Sequence, residues 1–114
     1  MIRSVELEMT REQTQAEKDR LRLEYGSLFD SIAEILFRHD PIELNYEYNT
    51  DEYESEARTI LPRLKTCHSV DDVISMVHEE FQSWFDADEA GPKERYRNIA
   101  EEIWLLWQKV QAQK

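Results

Sequence analysis

Apolar residues recur at intervals of three and four most regularly between residues 69 and 85, SVDDVISMVHEEFQSWF. This spacing places them on one face of a helix, with acidic and polar residues on the other. Ser69 and Asp72 have the spacing of a capping box, with aspartate in place of glutamate, so we expect the helix to begin there. Its predicted inward face consists of Val70, Val73, Ile74, Val77, Phe81, Trp84 and Phe85.

A second apolar pattern predicts a long first helix that begins near Thr10 and ends at Asp40-Pro41. The helix ends there because proline disfavours the α conformation at the residue before it. Gly26 weakens the pattern by about 1 kcal/mol relative to alanine, a cost that packing can override. Residues 1–9 fit either a short strand or one face of a helix, so we expect a short N-terminal strand or arm there. The inward face of the helix is predicted to be Leu21, Tyr25, Leu28, Phe29, Ile32, Ile35 and Leu36.

Two further helices are predicted on either side of the central one. Thr50 is suited to cap the first of them, and Pro62 predicts a kink or break inside it. The last helix is predicted to start at Pro92, a residue favoured at the first helical position. The inward faces are predicted to be Tyr53, Ala57, Ile60, Leu64 and Cys67 in one helix, and Tyr96, Ile99, Ala100, Ile103, Leu106, Trp107 and Val110 in the other.

These elements predict an all-α fold, a four-helix, bundle-like single domain over residues 1–114. Residues 1–20 are expected to form an N-terminal extension and residues 21–112 the core. The composition agrees, since 40% of the 114 residues are hydrophobic and only two are glycine and three proline. A turn-rich β fold is therefore disfavoured.

The charge of the chain restricts its partners. Asp and Glu total 25 against 14 Lys and Arg, giving a net charge of −11. This charge disfavours nucleic acid and anionic membranes, and it favours a basic protein, a cation or simply solubility. The single cysteine cannot form an internal disulfide, and neither a signal peptide nor a membrane span is apparent. The sequence therefore predicts a soluble cytoplasmic protein.

Acidic residues and tyrosines concentrate between residues 40 and 56, which we call the acidic stretch. Carboxylates steer basic partners, and tyrosine offers wide contact area at interfaces. The stretch is therefore a candidate docking surface for a basic protein; the alternative is a solvated loop with one or two tyrosines in the core. The predicted partner-binding residues are Glu43, Tyr46, Glu47, Tyr48, Asp51, Glu52 and Glu54.

The last helix carries a second candidate contact. Trp104 and Leu105 lie about 100° and 200° from the centre of its inward face. A single exposed leucine is ordinary, so Leu105 needs no partner. The alternative is a contact with the N-terminal segment or with another chain, which makes this helix a candidate homodimer surface. Leu23 and Phe37 also lie off the main faces of their helices.

Metal and catalytic patterns are weak. Asn45, Glu47, Asn49, Asp51 and Glu56 follow the ligand spacing of an EF-hand, but Thr50 replaces the required glycine. A cation- or small-ligand-binding module therefore stays as an alternative function. Cys67 and His68 are adjacent, and His78 has no second histidine at zinc-ligand spacing. A catalytic pair of Cys67 with His39 or His68 would require the fold to bring them together. We therefore predict no catalytic residues, no metal and no cofactor.

Several short motifs together resemble a family of small bacterial all-helical proteins of unknown function. They are Asp40-Pro41-Ile42, Asp51-Glu52-Tyr53, Ile60-Leu61 with Leu64, Ser69-Val70-Asp71-Asp72, and Phe81 with Trp84-Phe85. The resemblance covers about residues 28–107 and implies a helical fold in a bacterial cytoplasm, without an activity. In general character the chain is also similar to immunity proteins that neutralise basic nucleases, a fold-level analogy. We therefore expect a non-catalytic, immunity-like or regulatory interaction module.

Overall fold

The computed structural model describes residues 11–42 and 53–112, which form one all-α domain without strands in these two ranges. The predicted fold class is confirmed. The predicted N-terminal strand or arm lies outside the described residues. The helices are α1 (Arg11–Tyr25), α2 (Leu28–His39), α3 (Glu54–Ile60), α4 (Val70–Trp84), α5 (Ala87–Ala90) and α6 (Arg97–Ala112), with 3₁₀ turns at Leu61–Thr66 and Lys93–Tyr96.

The first helix is not continuous, contrary to our expectation. Gly26 adopts a φ of 64°, in the left-handed region, and its N–H donates to the Arg22 carbonyl at 2.8 Å. Glycine enters this region without the steric cost that a side chain would impose, so the chain turns here. Leu21 and Phe29, on either side of the turn, are both fully buried. The break therefore lets both helices reach the same core.

The end of α2 agrees with the prediction. Asp40 follows the helix with a φ of 48°, and its N–H donates to the Leu36 carbonyl at 2.8 Å. Thr50, the predicted cap of the next helix, lies outside the described residues, and α3 begins at Glu54. Pro62 lies in the 3₁₀ turn that replaces the end of that helix, which confirms the predicted break.

Helix α4 is the centre of the core. Ser69 Oγ accepts from the Asp72 N–H at 3.2 Å, as the capping box predicts, while the Asp72 carboxylate accepts from the His68 N–H at 2.9 Å. The helix makes its most extensive contact with α6 and also packs on α3. The indole Nε1 of the buried Trp84 donates to Thr59 Oγ1 at 2.9 Å, which ties α4 to α3.

The last helix starts later than predicted. Pro92 lies in extended backbone before the turn Lys93–Tyr96, and α6 begins only at Arg97. Gly91 precedes it with a φ of 75°. Arg95 Nη1 donates to the carbonyls of Glu89 and Ala90 at 3.0 Å each, and to that of Pro41 at 3.1 Å. These bonds hold the chain in a turn and delay the helix.

Candidate protein-docking surfaces

The acidic stretch is only partly visible. The candidate residues Glu43, Tyr46, Glu47, Tyr48, Asp51 and Glu52 lie outside the described residues. Among the acidic residues and tyrosines of the stretch, the structure describes Asp40, Tyr53, Glu54 and Glu56, and each is engaged by the fold.

Tyr53 belongs to the core rather than to the surface. Its side chain is fully buried, with its ring centroid 6.1 Å from that of Phe81. Its hydroxyl donates to Asp40 Oδ1 at 2.6 Å and accepts from the Ile42 N–H at 3.4 Å. For this tyrosine the core alternative was therefore the correct one. The hydroxyl also joins the start of the acidic stretch to the beginning of α3.

Glu54 and Glu56 are turned towards the protein. Glu54 lies 3.2 Å from Lys18 Nζ and 3.7 Å from Arg22 Nη2, and its side chain is 23% exposed. Glu56 is fully buried. Pairing with the chain's own cations leaves little of the Glu54 charge for a partner. A docking role for the acidic stretch therefore depends on residues 43–52.

A groove of about 540 Å³ runs between α2 and α6. Its lining residues recur at intervals of three and four on both helices, because each helix contributes one face. We call it the α2–α6 groove. The apolar lining is Ile35, Leu105 and Leu106, and the polar lining is Ser27, Asp30, Ser31, Glu34, Arg38, Glu102 and Lys109.

Leu105 stands at the edge of this groove with 60% of its surface exposed. Its predicted orientation away from the core is confirmed, while its role in binding stays a prediction. Trp104 is half-buried and packs against the core, and its role in binding also stays a prediction. Leu23, at 89%, is the other large hydrophobic residue that the described part of the chain exposes.

The carboxylates of the α2–α6 groove pair with basic residues of the same chain. Arg38 donates to Glu34 Oε2 at 3.1 Å and to Glu102 Oε1 at 2.7 Å, and His39 Nε2 contacts Glu102 Oε2. These contacts, the Arg38 hydrogen bonds foremost, lower the pKa of Glu102 to about 2. Asp30 lies 3.0 Å from Arg22. The carboxylates of the groove are thus neutralised within the chain.

A second cavity, of about 470 Å³, lies between the end of α2 and the turn that follows α5. Side chains of His39, Asp40, Glu89 and Arg95 line it together with Pro41 and Ile42. Asp40 accepts from Tyr53, and Arg95 holds the three carbonyls described above. The cavity thus combines polar groups of both charges.

The candidate catalytic residues do not meet. Cys67 is 7% exposed, its Sγ lies 3.7 Å from the Arg63 carbonyl, and burial raises the pKa of its thiol. No hydrogen bond joins it to His39 or to His68. His78 Nε2 lies 3.0 Å from the Gly91 carbonyl, and its ring packs on Tyr96. Within the described ranges, no three His, Cys, Asp or Glu side chains are grouped to hold a metal ion.

One unusual residue was missed by the sequence reasoning. Arg58 is 7% exposed, and its guanidinium lies over the Trp84 ring at 5.7 Å. Its Nε and Nη2 have no hydrogen-bond acceptor among the described residues. The sequence offered no signal for this burial, because Arg58 follows the inward-facing Ala57 as an ordinary charged residue.

Comparison with protein-family models, with curated proteins and with solved structures finds no match for this chain. The resemblance to small bacterial helical proteins therefore stays a prediction. Across residues 11–42 and 53–112, none of the helices is both long and apolar enough to cross a membrane.

Proposed function

We propose that the protein is a non-catalytic, acidic interaction module, immunity-like or regulatory, that docks a basic protein through residues 43–52 of the acidic stretch. The observation that carries this proposal is the hydrogen bond from Tyr53 to Asp40, which joins two described residues that flank this segment. Fixing the ends of a binding segment reduces the conformational entropy lost when a partner binds.

Charge supports the same function. The chain carries a net charge of −11, and long-range attraction of this kind accelerates the encounter with a basic partner. The same charge disfavours nucleic acid as a partner. We place the interaction in the bacterial cytoplasm, where a lone thiol such as Cys67 stays reduced. Burial and the raised pKa of that thiol argue against a nucleophilic role.

The proposal is tested by reversing Glu47, Asp51 and Glu52 to lysine in one variant. A tagged wild-type chain captures its partner in the native host, and the purified pair is then titrated by calorimetry. We expect the reversed variant to bind at least about tenfold more weakly, and wild-type affinity to fall as salt rises.

The matched control reverses three exposed acidic residues outside the acidic stretch, Glu12, Asp88 and Glu94, so that the change in net charge is the same. Helical content, measured by circular dichroism, should be retained in both variants. Equal losses of affinity would show that only net charge matters, and no loss in either would reject residues 43–52 as the docking surface.

The second cavity supports one alternative, a small-ligand- or cation-binding module. Its mixed lining of His39, Asp40, Glu89 and Arg95 suits a small polar ligand better than an apolar one. The calcium version involves loop 45–56, where Glu56 would be the last ligand. Calorimetry of the purified protein with calcium tests the cation version. A heat of calcium binding would support it, whereas an interaction module without a metal site predicts none.

We further propose that the exposed face of α6 mediates self-association. Leu105 supports this proposal, because it is a large apolar side chain beside a groove of its own molecule.

A further inference from the structure

The α2–α6 groove suits a neutral occupant better than a basic one. Its carboxylates at Glu34 and Glu102 are already bound by Arg38, and that at Asp30 by Arg22. A basic partner would have to compete with these bonds. The groove thus differs from the chain as a whole, whose net charge is −11, and it does not share the partner proposed for residues 43–52.

The exposed face of α6 beside the α2–α6 groove carries a charge pattern that is complementary to itself when reversed. Glu101, Leu105 and Lys109 are four residues apart, so they lie close to one line along the helix, about 6 Å apart. All three are exposed. Neither Glu101 nor Lys109 forms an ion pair with any residue that the structure describes. The acid and the base are equally distant from the leucine, on opposite sides.

We infer that α6 pairs antiparallel with α6 of a second copy, around a two-fold axis that passes close to Leu105. In this arrangement the two leucines meet at the axis, each beside the groove of the other copy. Glu101 of one copy faces Lys109 of the other, twice by symmetry. The inference deepens the self-association proposed above. A parallel pairing would place Glu101 against Glu101 and is disfavoured.

The response to salt separates this contact from the docking of a basic protein. Two copies of a chain with net charge −11 repel each other over the whole surface. Salt screens this repulsion and weakens only two exposed ion pairs, which contribute little. Self-association should therefore hold or strengthen as salt rises, whereas binding of a basic partner weakens. Either result can fail without the other.

The test is sedimentation equilibrium of the purified full-length chain, whose monomer mass is 13.7 kDa. We expect a concentration-dependent species of twice that mass. Leu105→Asp should abolish it, and Leu23→Asp, at the even more exposed leucine on α1, should leave it unchanged. A monomer at all concentrations would overturn the inference, as would equal losses in the two aspartate variants.

A charge exchange tests the antiparallel arrangement. Glu101→Lys places two lysines opposite each other, Lys109→Glu places two glutamates opposite each other, and each should weaken the dimer. Combining both substitutions restores opposite charges and should return the dimer to its wild-type dissociation constant. A double variant no stronger than the single variants would exclude this pairing. Circular dichroism checks that each variant is folded. We expect it to be, because neither side chain forms an ion pair with any residue that the structure describes.

Discussion

Replacing Glu102 with glutamine removes the carboxylate that joins α2 to α6. Arg38 donates to both of its oxygens, at 2.7 and 3.2 Å, and His39 contacts one of them. These contacts lower the pKa of Glu102 from 4.5 to about 2, which corresponds to at most about 3 kcal/mol of folding free energy. Because the side chain is 36% exposed, water screens the interaction, and we expect about 1 kcal/mol.

The pH dependence follows from the direction of the shift. The folded protein keeps Glu102 ionised at a pH where the unfolded chain has already taken up the proton. Its stabilisation is therefore complete above about pH 4.5 and is lost as the pH falls towards 2. Glu102→Gln lacks this contribution at every pH. The unfolding free energies of the wild type and the variant should differ at neutral pH and converge in acid.

The assay is urea denaturation followed by far-UV circular dichroism, from neutral pH as far into acid as the fold persists. Glu94→Gln is the matched control, because that carboxylate is exposed, lies outside α6 and has no ion pair within the described ranges. Its effect should be within about 0.5 kcal/mol at every pH. If both glutamine variants lost the same stability, or if the difference for Glu102 did not narrow in acid, the reasoning would be refuted.

Two further substitutions test the turns that shape the fold. Tyr53→Phe removes the hydroxyl that donates to Asp40 and accepts from the Ile42 N–H. We expect urea denaturation to show a loss of about 1–2 kcal/mol in unfolding free energy, and hydrogen exchange at the Ile42 amide to be faster. An unchanged denaturation midpoint would contradict this expectation. Gly91→Ala introduces a side chain at a φ of 75°, and its Cβ would collide with the Arg95 guanidinium, so the Arg95 contacts must shift. We expect a loss of about 1–3 kcal/mol by thermal and urea denaturation, and a variant as stable as the wild type would show that this turn is unstrained.

Much of the helical architecture could be predicted from local pattern. The predicted inward faces of α2, α4 and α6 contain the residues that the structure buries most deeply, including Phe29, Phe81 and Ile103. Caps and breaks at Ser69 and Pro62 were also readable, because they depend on a few neighbouring residues. The start of α6 was not readable, since it depends on Arg95 reaching the distant Pro41 carbonyl.

The candidate surfaces also divide into features that the sequence determined and features that only the folded structure determined. Composition alone determined that the chain is acidic, and helical geometry alone determined that Leu105 points outwards. Only the tertiary structure decided that Tyr53 is sealed and that Glu54 is paired with Lys18 and Arg22. It also decided that the carboxylates of the α2–α6 groove are paired with Arg22 and Arg38. Periodicity fixes which face a side chain occupies, whereas its charge partners come from helices that are remote in sequence and meet only when the core closes.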